Sequence, residues 1–371
     1  MSKNFHALTV SDVIQETKDT VSLVFAVPEN LKETFQYTQG QYLTLRFTVN
    51  GSEERRAYSM SSSPLEPTLK VSVKRVKKGK VSNHIADKVK KGDKVDVMPP
   101  EGRFFTVLKE ENRKTYYLFG AGSGVTPLMS IIKTTLEIEP QSSVYLLYGN
   151  RDEESIIFKD ELDALAQKYN GQFRVVHTLS QPKREKPKGF GGLFKKGSIS
   201  WEGQTGRIDA KKVMRFLAEN ESQYKDTEYF LCGPNEMIFM LLNYLTDKQG
   251  VEKSKVHFEL FNTTGVVIKK KKQREIDNSI LSEITIHEGG KDFIFSIPQG
   301  SDNILDAALN NHADLPFACK GGVCCTCRAK LIEGKVDMEV NYALEQEELD
   351  AGYILTCQAI PLSQKVIVDF D

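Results

Sequence analysis

No stretch of the sequence approaches the ~20 consecutive apolar residues that a membrane-spanning helix needs, so no helical membrane segment is expected. The opening residues, MSKNFHALTV, lack the basic start, long apolar core and small-residue cleavage site of a secretory leader. A cytoplasmic chain whose thiols stay reduced is the expectation. Neither sign of charge is in surplus: Lys plus Arg and Asp plus Glu each number 50, which gives no footprint for nucleic acid or a membrane surface. Cysteine is scarce, with six residues in 371, yet four of the six fall within positions 319–327. In a reduced chain such a cluster usually binds metal or does chemistry, and that reading is preferred to disulfides.

At 371 residues the chain is long enough for two or three domains, each with its own core, and no internal repeat is visible. The neutral total conceals an asymmetry. Residues 281–371 hold 15 acidic and 6 basic side chains, a net charge of −9, so the first 280 residues carry +9. An acidic C-terminal domain on a basic body suits interdomain docking or the steering of a partner.

Residues 1 to about 107 alternate apolar and polar positions in TVSLVFAV, QYLTLRFTV, LKVSVKRV and DKVDVMP, which predicts an antiparallel β domain. From about Arg113 apolar strands (TYYLFGAG, VYLLYGN, FRVVHTLS, TEYFLCGP) alternate with helical stretches, the pattern of βαβ units on a parallel sheet. Between Gln181 and Gly206 lies a Gly- and Lys-rich segment that reads as a long surface loop, and VIKKKKQREIDN reads as an interdomain linker. The expected domains are therefore 1–108, 109–262 and 282–371, with a basic linker at 263–281.

Cys319, Cys324 and Cys327 form C-x4-C-x2-C, and Cys357 follows after 29 intervening residues. This is the plant-type [2Fe–2S] spacing, in which four thiolates hold two irons. Zinc sites more often pair two C-x2-C units, and only one occurs here. Cys325 breaks the spacing and is expected to be a non-ligand. With ITIHE, DFIFSI and KVIVDF as strands and NILDAALNN as a helix before the cysteine loop, residues 282–371 resemble plant-type ferredoxins, which implies a β-grasp fold. Such a cluster carries one electron, whereas a soluble nicotinamide delivers a hydride, so a flavin should stand between them.

Arg56, Tyr58 and Ser59 in RRAYSMSS resemble the R-x-Y-S signature of the ferredoxin–NADP reductase superfamily. The resemblance implies Arg on the flavin pyrophosphate, Tyr along the isoalloxazine and Ser near its N5. A planar fork suits phosphate and an aromatic face suits the ring. Gly79, Lys80, Val81 and Ser82 resemble the superfamily's G-x-V-S turn into a helix whose amides hold the pyrophosphate, after a strand carrying Val73, Lys74 and Arg75. This second half favours FAD over FMN. Gly102 and Phe104 match the P-x-G-x-F that closes the flavin domain, although packing alone explains such a motif.

In FGAGSGVTPLMSII a strand breaks into Gly120, Gly122 and Gly124, and then Thr126 and Pro127 open a helix, a geometry that admits a diphosphate. The whole string resembles the same superfamily. FLCGPNEM matches its C-G-P-x-x-M, which places Cys232, with Gly233 and Pro234, beside the nicotinamide.

In domain order and in YGNR, HFELFNTTG and AGYILTCQAIPL the chain resembles the reductase components of phenylacetyl-CoA epoxidase and their relatives. That implies electron transfer from NADPH through FAD and the cluster to a separate di-iron oxygenase, with Glu259 assisting proton movement near N5. Reductases of Rieske oxygenases, steroid hydroxylases and acyl desaturases share these motifs, and a redox-sensing or electron-storage component is the alternative of another class. Where NADP reductases often show Ser-Arg, this chain has Ser180-Gln181, so Arg151 and Arg207 are expected to supply the charge for NADPH.

Overall fold

The computed structural model describes residues 5–185, 198–262 and 279–371. Most of the lysine-rich segment after Gln181 and nearly all of the basic linker lie outside the described residues. Among the described residues no helix is long and apolar enough to cross a membrane.

The alternating N-terminal segments become β1 (His6–Thr17), β2 (Thr20–Ala26), β3 (Tyr42–Val49), β4 (Ser52–Ser59), β5 (Leu69–Lys74) and β6 (Lys94–Val97). They form an antiparallel sheet of order β4-β3-β6-β1-β2-β5, and a bridge between Met60 and Val71 brings its two edges together into a barrel. The β-branched and leucine side chains fill its interior, with Leu8, Leu23, Leu43, Leu45 and Val71 fully buried. One helix, α1 (Lys80–Lys88), lies between β5 and β6 and sinks Val81 and Ile85 into that core.

The central domain holds β7 (Thr115–Ala121), α2 (Val125–Ile138), β8 (Ser143–Asn150), α3 (Lys159–Lys168) and β9 (Phe173–Leu179). A short pair, β10 (Arg184–Glu185) and β11 (Ser198–Ile199), precedes β12 (Gln204–Thr205), α4 (Ala210–Glu219), β13 (Thr227–Cys232), α5 (Asn235–Leu242) and β14 (Val256–Glu259). The sheet order is β12-β9-β8-β7-β13-β14, and every pairing is parallel. Strand order reverses between β7 and β13, and the crevice at the carboxyl ends of such a pair is where open α/β sheets receive ligands. Pro127 is tolerated in the first turn of α2 because its missing N–H has no partner there. Phe104, read from sequence as closing the N-terminal domain, packs instead in the central core, edge-on to Phe230 at 5.5 Å.

The C-terminal domain is a β-grasp. Its mixed sheet runs β16 (Lys291–Pro298), β15 (Leu281–Glu288), β21 (Lys365–Asp369), β17 (Arg328–Glu333), β19 (Tyr353–Leu355), with β15 and β21 parallel. Strands β18 (Val336–Met338) and β20 (Ala359–Pro361) pair separately. Helix α6 (Ile304–Asn310), capped by the Asn303 side chain, packs on the sheet, and α7 (Gln346–Asp350) carries a Glu345–Glu348 capping box. The cysteine loop runs between α6 and β17 and leans on the barrel.

Candidate functional site

A cavity of about 500 Å3 opens where the three domains meet. Arg56 and Ser59 of β4 form one wall, Glu259 to Asn262 beyond β14 a second, and Phe317 to Gly321 of the cysteine loop a third. Glu54 in the β4 wall gathers two cations, Arg56 Nη2 at 2.9 Å and, from outside the cavity lining, Lys80 Nζ at 2.7 Å. The hydrogen bond from Lys80 holds the Glu54 carboxyl below its usual range. Gly79 caps α1, and the Ser82 hydroxyl accepts from Val76 N–H at 3.1 Å, which closes the turn.

Other residues singled out in the sequence stand further back. Tyr58 is packed against the barrel core and is not part of the cavity wall, and burial pushes its hydroxyl far up. Val73 is fully buried, so only its backbone can meet a ligand. Arg75 pairs with Asp87 at the surface. Gly102 (φ +110°) faces the Tyr42 ring, which a Cβ would approach to 2.9 Å.

A second cavity of about 670 Å3 lies over the carboxyl ends of β7 and β13. Gly122, Gly233 and Pro234 form its floor, and Arg151, Ser180 and Arg207 stand on its rim. Gly120 is in register with Cys232 on β13, which is in turn in register with Glu259 on β14. A Cβ on Gly124 would come within 2.0 Å of the Cys232 carbonyl oxygen, so this crossing of two backbones demands glycine. The Thr126 hydroxyl donates to Ser123 O at 3.0 Å, and Tyr148 donates to Gly122 O at 2.9 Å, fixing the loop. Lys74, expected on the flavin side, lines this second cavity beside its partner Asp19 at 3.6 Å. Phe261 and Asn262 line both cavities.

The four spaced cysteines form two pairs. Cys324 Sγ lies 3.1 Å from Cys319 Sγ, and the Cys327 thiol donates to Cys357. Donation from the neighbouring thiol draws Cys319 below its ordinary value and lowers Cys357 as well. Gly321 N–H donates to Cys319 Sγ at 3.3 Å, and the Gln358 side chain lies 3.6 Å from Cys357 Sγ. Among the described residues no three metal-ligating side chains converge on one point. A two-iron cluster takes two thiolates at each iron. Cys325 turns away, donating to Ala343 O at 3.2 Å.

Comparison with known proteins gives three matches in the same order. The oxidoreductase FAD-binding domain matches residues 7–106, the oxidoreductase NAD-binding domain 118–242, and the 2Fe-2S iron-sulfur cluster binding domain 286–362. A component of the 1,2-phenylacetyl-CoA epoxidase of Escherichia coli is 38% identical over 99% of this chain and 98% of its own. This chain belongs to that reductase family. The ferredoxin reductase component of 3-ketosteroid-9-alpha-monooxygenase from Rhodococcus rhodochrous is 35% identical over 98% of this chain and 96% of its own. Among solved structures, phthalate dioxygenase reductase superposes with a TM-score of 0.56 at 22% identity, covering 99% of this chain and 98% of that one.

The reductase is thus an NAD(P)H-dependent electron-transfer oxidoreductase that uses FAD, a nicotinamide nucleotide and a [2Fe–2S] cluster. Its residues fit those groups: paired cations and a capped helix for a pyrophosphate, a glycine crevice for a dinucleotide, and two thiol pairs for two irons. Between the first two, Ser59 Oγ donates to Glu259 Oε2. Glu259 lines the cavity and is partly buried, and loss of solvation pushes its carboxyl up to about 7 despite that hydrogen bond. Burial and the neighbouring Glu259 also hold the fully buried Cys232 thiol well above its ordinary value. Sequence reading missed Tyr42, Arg55 and Phe317 in the first cavity and Met237 in the second. Aromatic and basic residues on a strand or in a loop carry no local signature, and only the fold brings them there.

Proposed function

We propose that this reductase takes hydride from NADPH in the second cavity and delivers electrons to an oxygenase component, the di-iron phenylacetyl-CoA epoxidase. The observation that carries the reading is continuity. Phe261 and Asn262 line both cavities, and Cys319 and Cys324 wall the first, so the three cofactor positions adjoin. FAD bound there supplies the conversion of one hydride into two single-electron transfers to the cluster, with loss of one proton.

The chain's own groups bind and orient. Arg56 and Lys80, gathered by Glu54, clamp the pyrophosphate against the amides that open α1. Ser59 would present its hydroxyl to the flavin N5, and Glu259, to which it donates, would hold or accept the proton released there. Cys232, in register with Gly120 and Glu259, is fully buried and lines neither cavity, and it would stand behind the nicotinamide position. Gly122 and Gly233 let the nicotinamide diphosphate approach the backbone. Arg151 and Arg207, with Ser180, meet the 2′-phosphate, and the Arg207 side chain is free enough to do so, 85% exposed with Glu236 at 3.9 Å. Reduced thiolates of this kind suit a cytoplasmic setting.

Two reconstitutions test this reading, one with the di-iron oxygenase of phenylacetyl-CoA epoxidase and one with the steroid 9-alpha-monooxygenase oxygenase. Each is driven by NADPH or NADH. The expected result is coupled product formation with the first and a higher kcat/KM for NADPH. A higher kcat/KM for NADH overturns the nucleotide choice, and turnover confined to the steroid oxygenase overturns the acceptor.

A further inference from the structure

Successive side chains of β4 point to opposite faces. Arg56 reaches Glu54, whereas Arg55, which also borders the first cavity, reaches towards the cysteine loop and is 4% exposed. Its guanidinium is saturated by partners. Nε donates to Glu53 Oε1 at 2.7 Å, Nη1 to Leu315 O at 3.0 Å and Nη2 to Asp314 Oδ1 at 2.7 Å, and the plane lies 4.4 Å from the centre of the Phe317 ring. Apart from Glu53, these partners belong to the segment that leads directly into Cys319. A second fastening joins the far end of the same loop. Tyr42, in register with Ser59, brings its hydroxyl 3.0 Å from Thr326 Oγ1, both side chains being buried, and its ring packs on Ala318 and Cys324.

The β3–β4 hairpin that carries Arg56 and Ser59 therefore holds both ends of the cysteine loop. We propose that Arg55 is a positioning residue for electron transfer from flavin to cluster: it locks the entry of the cysteine loop onto the flavin strand, so that the C-terminal domain stays docked during turnover. The inference rests on the electron route proposed above. An exposed ion pair would hold nothing firmly. Arg55 is different because its planar fork is buried, and releasing the loop would take away its Asp314 and Leu315 acceptors and leave Glu53 to hold that charge. A two-electron-reduced flavin bound there would give up two electrons one at a time to the cluster and one proton to solvent or Glu259, and the acceptor protein would draw each electron on. Tunnelling falls steeply with separation, so a small loosening of the loop slows this step and leaves hydride transfer alone.

The test compares the holoenzyme with Asp314→Arg and Arg55→Gln. Asp314 is 73% exposed, so its charge reversal repels Arg55 without burying an unpaired group, and this variant remains informative if Arg55→Gln fails to fold. Hydrogen exchange reports the protection of residues 313–318, and anaerobic rapid mixing with NADPH reports flavin and cluster reduction separately. In Asp314→Arg, iron content, the cluster's paramagnetic resonance spectrum and the rate of flavin reduction should match the parent. Exchange at 313–318 should quicken, and cluster reduction should slow on the order of tenfold, the scale of rate loss that a small misplacement brings. Unchanged exchange, or quickened exchange with an unchanged rate of cluster reduction, overturns the proposal. A parent whose cluster NADPH never reduces would instead overturn the electron route itself.

Discussion

Ser59 and Glu259, 200 positions apart in sequence, meet through a 2.8 Å hydrogen bond in which the Ser59 hydroxyl donates to Glu259 Oε2. The bond ties the end of the barrel strand β4 to the end of the sheet strand β14, next to Cys232. A hydroxyl with a titratable carboxyl behind it, in the wall of the first cavity, can govern a proton without itself touching solvent.

Glu259 should impose a pH dependence on flavin oxidation. Its carboxyl titrates at about 7, raised by burial, so it is a proton acceptor only above that pH. Electron release from reduced flavin should accelerate as pH rises through 7, and Glu259→Gln should flatten the profile. Rapid-mixing rates across that range decide the matter, and an unchanged profile in the variant removes Glu259 from the proton route.

The same group has a thermodynamic signature. The folded carboxyl holds its proton up to about 7, against an ordinary value of 4.5, so between these values the folded state binds more protons than the unfolded one. The cost of burying the charge is absent below 4.5 and grows as pH rises through 7. Glu259→Gln should therefore raise Tm above pH 7 and leave it unchanged below pH 4.5, as scanning calorimetry would show.

Cys357→Ser should lose the cluster and keep FAD, because a hydroxyl is a poor substitute for a thiolate at an iron. NADPH-driven reduction of ferricyanide, a small acceptor able to take electrons at the flavin, should survive while delivery to a protein acceptor fails. Cys325→Ser should retain iron and both activities, since that thiol is spent on the Ala343 carbonyl. Iron analysis and visible absorbance distinguish the two variants.

Gly124→Ala and Gly122→Ala separate a packing demand from a conformational one. At Gly124 a methyl would meet the Cys232 carbonyl at 2.0 Å, so the loop must shift and hydride transfer should fall by orders of magnitude. At Gly122 (φ +55°) no atom stands within 4 Å of the added carbon, so the expected effect is a stability loss of about 1–2 kcal/mol from the left-handed backbone. Flavin reduction rates and denaturant melts of both variants provide the comparison.

The parts of the site legible in the sequence were those where chemistry constrains neighbours along the chain. Three cysteines must sit on one loop to reach two irons, and Gly124 must be glycine because β7 turns against β13, so C-x4-C-x2-C and G-x-G-x-G-V-T-P could be read directly. Strand and helix periodicities likewise exposed the barrel, the parallel sheet and α6. What the pattern did not disclose depends on contacts between distant segments. Arg55 meets Leu315 across 260 positions and Tyr42 meets Thr326 across 284, through residue types that are ordinary on any strand. Lys74, read with the flavin strand from the superfamily resemblance, is the last residue of β5 and lines the second cavity. Phe104 sits at a motif end and packs across the domain boundary, where apolar burial overrides sequence grouping.

The measurement closest to the central claim is anaerobic mixing of the holoenzyme with NADPH, followed by absorbance for the flavin and freeze-quenched paramagnetic resonance for the cluster. The account predicts that the flavin bleaches first, that the cluster signal rises afterwards within the time of one turnover, and that Cys357→Ser shows the first phase alone. A cluster signal that precedes flavin bleaching, or none within turnover, would contradict it.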